Sequence, residues 1–170
     1  MTDEEKKVLD TILSLCQREG ISPFQIDYKV HNEIKVSNVK GVITTDIKEN
    51  VVSVRYRGMY EERLGTFEDD KLDENRVDEI IKSIKQSALN SDRLCRPEFF
   101  GEPGQRYKSS GFKLSNVKID NLKILNNKIV QSLKEMNPLF NDDAINEIST
   151  TLITGRRMMV NSKGLKVEKK

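Results

Sequence analysis

"FQIDYKVHNEIKV", residues 24–36, decides the architecture. Even positions carry Phe24, Ile26, Tyr28, Val30, Ile34 and Val36, with Asn32 as the one interruption. Successive side chains of a strand point to opposite faces, so this spacing predicts a long strand with one buried face. Downstream, "NVKG" (38–41) reads as a turn. "VITTDI" (42–47) and "VVSVRYRG" (51–58) follow as two further strands separated by "KEN". In the latter, Val52, Val54 and Tyr56 share one face while Arg55 and Arg57 point the other way. "EERLGTFED" (61–69) adds a fourth short strand. Strands joined by short polar turns predict an antiparallel meander.

Helices flank this run. "TDEEKKVLDTILSLCQREG" (2–20) has Thr2 and Glu5 at capping-box spacing, acids in its first turn, and Gly20 where a helix ends. Val8, Leu9, Ile12, Leu15 and Cys16 recur at helical spacing. "DDKLDENRVDEIIKSIKQSALNSD" (69–92) predicts a second helix, capped by Asp73, with Val77, Ile80, Ile81, Ile84 and Ala88 as its apolar stripe. "DNLKILNNKIVQSLKEMNP" (120–138) predicts a third, capped by Asp120, with Leu122, Leu125, Ile129, Leu133 and Met136 as its stripe. From Ala144 onward the chain reads as two or three strands, closed by a hairpin around Asn161-Ser162-Lys163-Gly164. Helices grouped between runs of strands predict an α+β fold. The expected form is a meander sheet with helices packed on one side, then a third helix and a C-terminal β-hairpin. Three parts are expected: residues 1–91, a Pro- and Gly-containing connecting arm at 92–118, and residues 119–170 as the start of a second part.

Composition narrows the function. Basic residues number 29 and acidic ones 27, a net charge of +2, so no electrostatic grip on nucleic acid is expected. No apolar run approaches the length of a membrane span, and "MTDEEKK" is unlike a signal peptide. Cys16 and Cys95 share no metal-type spacing and read as reduced thiols. These features predict a soluble cytoplasmic protein.

Catalytic signatures are sparse. His31 is the single histidine, and a metal site needs several converging ligands. Cys95 sits between Arg93 and Arg96, cations that can activate a thiol, but no base stands near it in sequence. Asp69-Asp70 and Asp142-Asp143 read as helix-start charges. The basic points Arg55, Arg57, Arg156 and Arg157 lie on extended segments, where they either hold a polypeptide or make ion pairs on a solvated face. No catalytic residue is assigned.

From Val51 to Asp92 the sequence resembles the N-terminal domain of TldD/PmbA proteins, the metallopeptidase-related family labelled modulators of DNA gyrase. The resembling pieces are Ser53–Arg57, Arg63–Thr66, the helix from Asp73 to Asn90, the arm "EFFGEPGQRY", and a turn matched by Asn161, Ser162 and Gly164. The order of elements agrees over most of residues 5–170. The resemblance implies a longer parent, acting in pairs, in proteolysis of unfolded or extended peptides and peptide maturation. It places zinc in a C-terminal half that this chain does not include, so no cofactor is expected here and the chain is not expected to be active alone. It also implies that the final hairpin stops because the sequence covers only the front of such a protein. The implied partners are that half or a TldD/PmbA-type partner subunit, and a peptide substrate. Arg55, Arg57, Arg156, Arg157 and Asn161 are the expected substrate-binding residues, on candidate sheet edges at 51–57 and 158–167. The alternative is a stand-alone protein-interaction module without enzymatic activity.

Overall fold

The computed structural model describes residues 2–92, 94, 96, 100–102, 117–137, 139–141 and 144–169. Cys95 and its neighbour Arg93, most of the 92–118 arm, and the Asp142-Asp143 pair lie outside them. Helix α1 spans Asp3–Arg18, β1 Phe24–Val39, β2 Val42–Tyr60 and β3 Arg63–Asp69. A 3-10 turn, Glu74–Arg76, leads into α2 at Val77–Leu89. Helix α3 (Ile119–Met136), β4 (Ile148–Asn161) and β5 (Lys166–Lys169) complete the chain. The strands form one antiparallel sheet in the order β3-β2-β1-β4-β5. The fold is α+β, as the sequence predicts.

Local chemistry explains most boundaries. The Thr2–Glu5 capping box forms in both directions, at 2.8 and 3.1 Å. At the other end of α1, Ile21 N–H donates to the Cys16 carbonyl and Gly20 N–H to that of Gln17. This Schellman pattern needs a left-handed residue, which Gly20 supplies at φ 80°. Asp73 caps the 3-10 turn through Asn75 N–H. Asp120, by contrast, is not the α3 cap. The helix starts one residue earlier, and Asn121 Oδ1 accepts from Lys118 N–H at 2.8 Å.

Two readings of the strands need correction. "KEN" is no turn, because β2 runs through it unbroken. Asn50 has a left-handed backbone (φ 53°), and its N–H donates to Asn32 Oδ1 at 2.9 Å, which absorbs the irregularity without reversing the chain. The β2–β3 reversal falls instead at Glu61-Glu62, since Tyr60 pairs directly with Arg63. Both glutamates have positive φ, as do Lys40 and Gly41 between β1 and β2. Two-residue hairpin turns of this kind match the natural twist of the strands.

The residues group into two compact units. The first comprises Met1–Val30, Val52–Tyr107 and Gly155–Lys170; the second comprises His31–Val51 and Lys108–Thr154. The core of the first joins Leu9, Ile12 and Cys16 of α1 and Ile80 and Ile84 of α2 to the even-numbered face of β1, with Val54, Tyr56, Met158 and Val160. Tyr56 stacks between Phe24 and Phe67, with ring centroids 6.3 and 6.0 Å apart. Both helices therefore cover the face that the alternation selects. Helix α2 comes unusually close. Gly58 and Gly65 lie opposite each other on β2 and β3. A Cβ at Gly65 would stand 2.1 Å from the Ile84 carbonyl oxygen, and one at Gly58 would stand 2.2 Å from Ile21 Cγ2. The paired glycines open a notch in the sheet that lets the backbone of α2 touch β3.

In the second unit, α3 buries Leu122, Asn126 and Val130; of the stripe read from sequence, Leu122 is buried and Leu133 is half-buried. Leu125, Ile129 and Met136 are exposed. Asn126 is fully buried, and its amide donates to the Val36 carbonyl (3.1 Å) and the Ile148 carbonyl (2.9 Å). Thr150 Oγ1 donates to the Leu122 carbonyl, fixing the same face. A polar residue thus supplies the central contact, its amide nitrogen donating to carbonyls of two strands.

Two outcomes follow from the turn and the notch. Gly65→Ala should lower unfolding free energy by about 2–3 kcal/mol in urea titration, since backbone atoms must move. Glu62→Gly should raise it by about 1 kcal/mol, by relieving a left-handed backbone at an exposed turn.

Candidate functional site

The sequence nominated four arginines and an asparagine. Arg55 stands directly opposite Glu68 on β3, and its Nε donates to Glu68 Oε1 at 2.6 Å. Both side chains are more than half exposed, so this is a solvent-screened surface pair. Arg57 is half-buried opposite Thr66. Of the expected edge at 51–57, Val54–Arg57 is not free. β3 pairs with β2 from Val54 onward, and β1 flanks its other side. Of the second predicted edge, 158–167, the β4 part is interior and only β5 is outermost.

Arg156 and Arg157 lie together on β4. Arg156 Nη2 donates to Glu5 Oε1 at 2.7 Å. Arg157 grips Asp27 with two hydrogen bonds, Nε to Oδ1 at 2.7 Å and Nη2 to Oδ2. This fork geometry is the strong form of an ion pair. Tyr28 O–H also donates to Glu5 Oε1, at 2.8 Å. Sequence reasoning missed this assembly, although Glu5 was visible as a helix cap. Glu5 thus joins the start of α1 to β1 and β4 through one carboxylate. Beside it is a cavity of about 10 Å³ lined by Tyr28, Arg156, Arg157, Met158 and Glu168. That is room for one water molecule and no ligand.

Electrostatics agree with a structural role. Burial alone would raise the Glu5 carboxyl, but hydrogen bonds from Thr2 and Tyr28 and the Arg156 charge outweigh it and hold the group below the usual range. Tyr28 is pushed up to about 12, by burial first and then by its bond to Glu5. Cys16 is likewise pushed up to about 12 by burial, which leaves its thiol protonated and unreactive.

Asn161 is buried at 4% exposure. Its Oδ1 accepts from the backbone N–H groups of Lys163 and Leu165, closing the hairpin. Its amide donates to the Gly101 carbonyl at 2.7 Å. Lys163 pairs with Glu102, and Phe100 is buried. Asn161 therefore ties the β4–β5 turn to the 100–102 segment.

Elsewhere, Asp69 pairs with Arg76 at 2.6 Å, bracing the approach to α2 as a helix-start charge. Among the described residues, no three His, Cys, Asp or Glu side chains come together to hold a metal ion. The zinc implied by the resemblance finds no donor set among them. No described helix is long and apolar enough to cross a membrane.

Glu5→Gln provides a direct check on this assembly. The folded-state carboxyl is held below its ordinary value of 4.5, so its stabilisation is present at neutral pH and is lost as pH falls through the folded-state value. The variant should lose about 1–2 kcal/mol at pH 7, and its stability should fall less steeply below pH 4.5 than that of the parent. Denaturant titration across pH measures both.

No family model matches the sequence, and no curated protein does. Solved structures do share the fold. TldE from Thermococcus kodakarensis is 20% identical with a TM-score of 0.63, over 95% of this chain and 36% of that one. A protein described as a modulator of a DNA gyrase, from Thermotoga maritima, is 14% identical with a TM-score of 0.63, over 96% and 36%. A similarly described protein from Bacteroides thetaiotaomicron is 16% identical with a TM-score of 0.59, over 99% and 39%. At these identities the likeness establishes the fold. This is the group that the sequence resembles, and the chain spans little more than a third of the length of these structures.

Proposed function

We propose that this chain acts as the N-terminal domain of a TldD/PmbA-type peptidase assembly, shaping the entry cleft and the subunit contact for chemistry carried by another part. The observation that carries this reading is the match in length. Nearly the whole chain takes a fold that occupies just over a third of TldE and the gyrase-modulator structures. A domain of that proportion works with the remainder of such a protein or with a partner subunit. Substrates in this reading are unfolded or extended peptides, and zinc belongs to the partner portion.

The candidate residues take narrower roles than their charge alone implies. Arg156 and Arg157 are held by Glu5 and Asp27, so their contribution is to keep β4 and α1 in place. Arg55 shares its charge with Glu68 at the surface and remains accessible to a peptide carboxylate. Arg57 has no ion pair among the described residues and is the better placed of the two for that contact. Exposed apolar side chains on α3 and just beyond it, including Leu125, Ile129, Met136 and Leu139, support a role in binding protein.

Co-expression with a TldD- or TldE-type subunit from the same organism tests the reading. A stoichiometric complex should co-purify, and it should cleave an unfolded peptide that the isolated chain leaves intact with zinc present. Absence of association at about 10 μM would remove the proposal, because an interface of standard size is stable at that concentration. Cleavage by the purified chain alone would remove it too.

A further inference from the structure

Helix α3 packs on a face that is not its most apolar one. At 3.6 residues per turn, each residue advances about 100° around the helix axis. Measured from Leu122, Leu133 lies about 20° to one side, Asn126 about 40° and Val130 about 80°. On the other side lie Ile129 at about 20°, Met136 at about 40° and Leu125 at about 60°. The first group is buried or half-buried, and the second is exposed. Leu122 and Leu133 border both faces. A turn of about 60° around the axis would keep both leucines in the packed layer. It would exchange Asn126 and Val130 for Leu125, Ile129 and Met136.

Apolar area by itself favours the turned helix, since three large apolar side chains would replace one. Burial of the amide adds a cost, because Asn126 Oδ1 has no donor among the described residues. The observed face has directional bonds instead. Asn126 Nδ2 donates to the carbonyls of Val36 and Ile148, and those two bonds exist only while residue 126 faces the strands. A buried polar group can fix one packing among several at some expense in stability. We infer that Asn126 is a positioning residue that chooses between two packings of α3, and that it turns the more apolar face away from the strands. The helix is thus a two-position element within its unit, and a single amide sets its orientation.

Thiol labelling of the full, folded chain with a water-soluble aromatic disulfide tests this. Cys95→Ser removes one native thiol, and buried Cys16 serves as a slow internal reference. One probe thiol is then placed by Leu125→Cys or by Val130→Cys, at positions 48% and 7% exposed. In this background the thiol at 125 should react faster than that at 130 by about tenfold or more. Adding Asn126→Leu should lower that ratio by about tenfold or more, or invert it, because the helix turns. Adding Ile129→Gln and Met136→Gln as well should restore the first ratio, because they strip the competing face. A ratio that Asn126→Leu shifts by less than this would overturn the inference, since the strands would then choose the face without the amide. Two thiols that react alike before Asn126→Leu is added would overturn it too. A lowered ratio that the two glutamines fail to restore would do the same, by showing a loosened helix rather than a turned one. So would a circular dichroism spectrum of an unfolded Asn126→Leu chain, because the amide would then supply stability and not choice.

Discussion

The backbone of α2 rests on β3 because Gly65 has no side chain. Gly58, its direct cross-strand neighbour, opens the same notch toward Ile21 and Phe24. This close approach lets Ile84 and Ile80 reach the layer formed by Phe24, Val54 and Tyr56. Without it, α2 would be held off the sheet by a methyl group, and the aromatic stack through Tyr56 would lose its cover. Close packing leaves little slack, so a displacement at this point spreads through the core. The arrangement of the first unit follows from that contact. The helix fixes the position of β3, and β3 in turn closes the side of β2 that carries Arg55 and Arg57.

Charge in this chain is used largely to hold elements together. Glu5 shows the principle best, because one carboxylate caps α1, accepts from Tyr28 and pairs with Arg156. A half-buried carboxylate is costly unless its lone pairs are filled, and here each oxygen has a donor. The same logic applies to Asp27 with Arg157 and to Asp69 with Arg76. Nearly equal numbers of acids and bases then produce cross-linking rather than a field that could attract a polyanion. The second unit is built differently. Its central contact is neutral, the Asn126 amide on two strand carbonyls. Leu125, Ile129 and Met136 of α3 remain exposed.

The sequence by itself determined the class of fold, the Thr2–Glu5 box, the Gly20 cap, the long first strand and the final hairpin. Each rests on residues close together in the chain: a spacing of two, a spacing of three to four, or a turn residue with a particular backbone. It also carried the resemblance whose fold the structure shares. Tertiary structure decided the rest. Only the sheet order made β2 an interior strand beside β3, and only the folded chain brought Glu5 to Arg156 across 151 positions. The α3 stripe misled because hydrophobicity was read as burial. The buried face centres on Asn126, whose value lies in carbonyls supplied by two distant strands. Glu61 and Glu62 hid a turn for a similar reason, since neither residue favours the left-handed backbone that strand pairing imposes on both. Local preference is written in neighbouring residues. The choice among partners is settled by which groups, distant in the chain, the fold brings within reach.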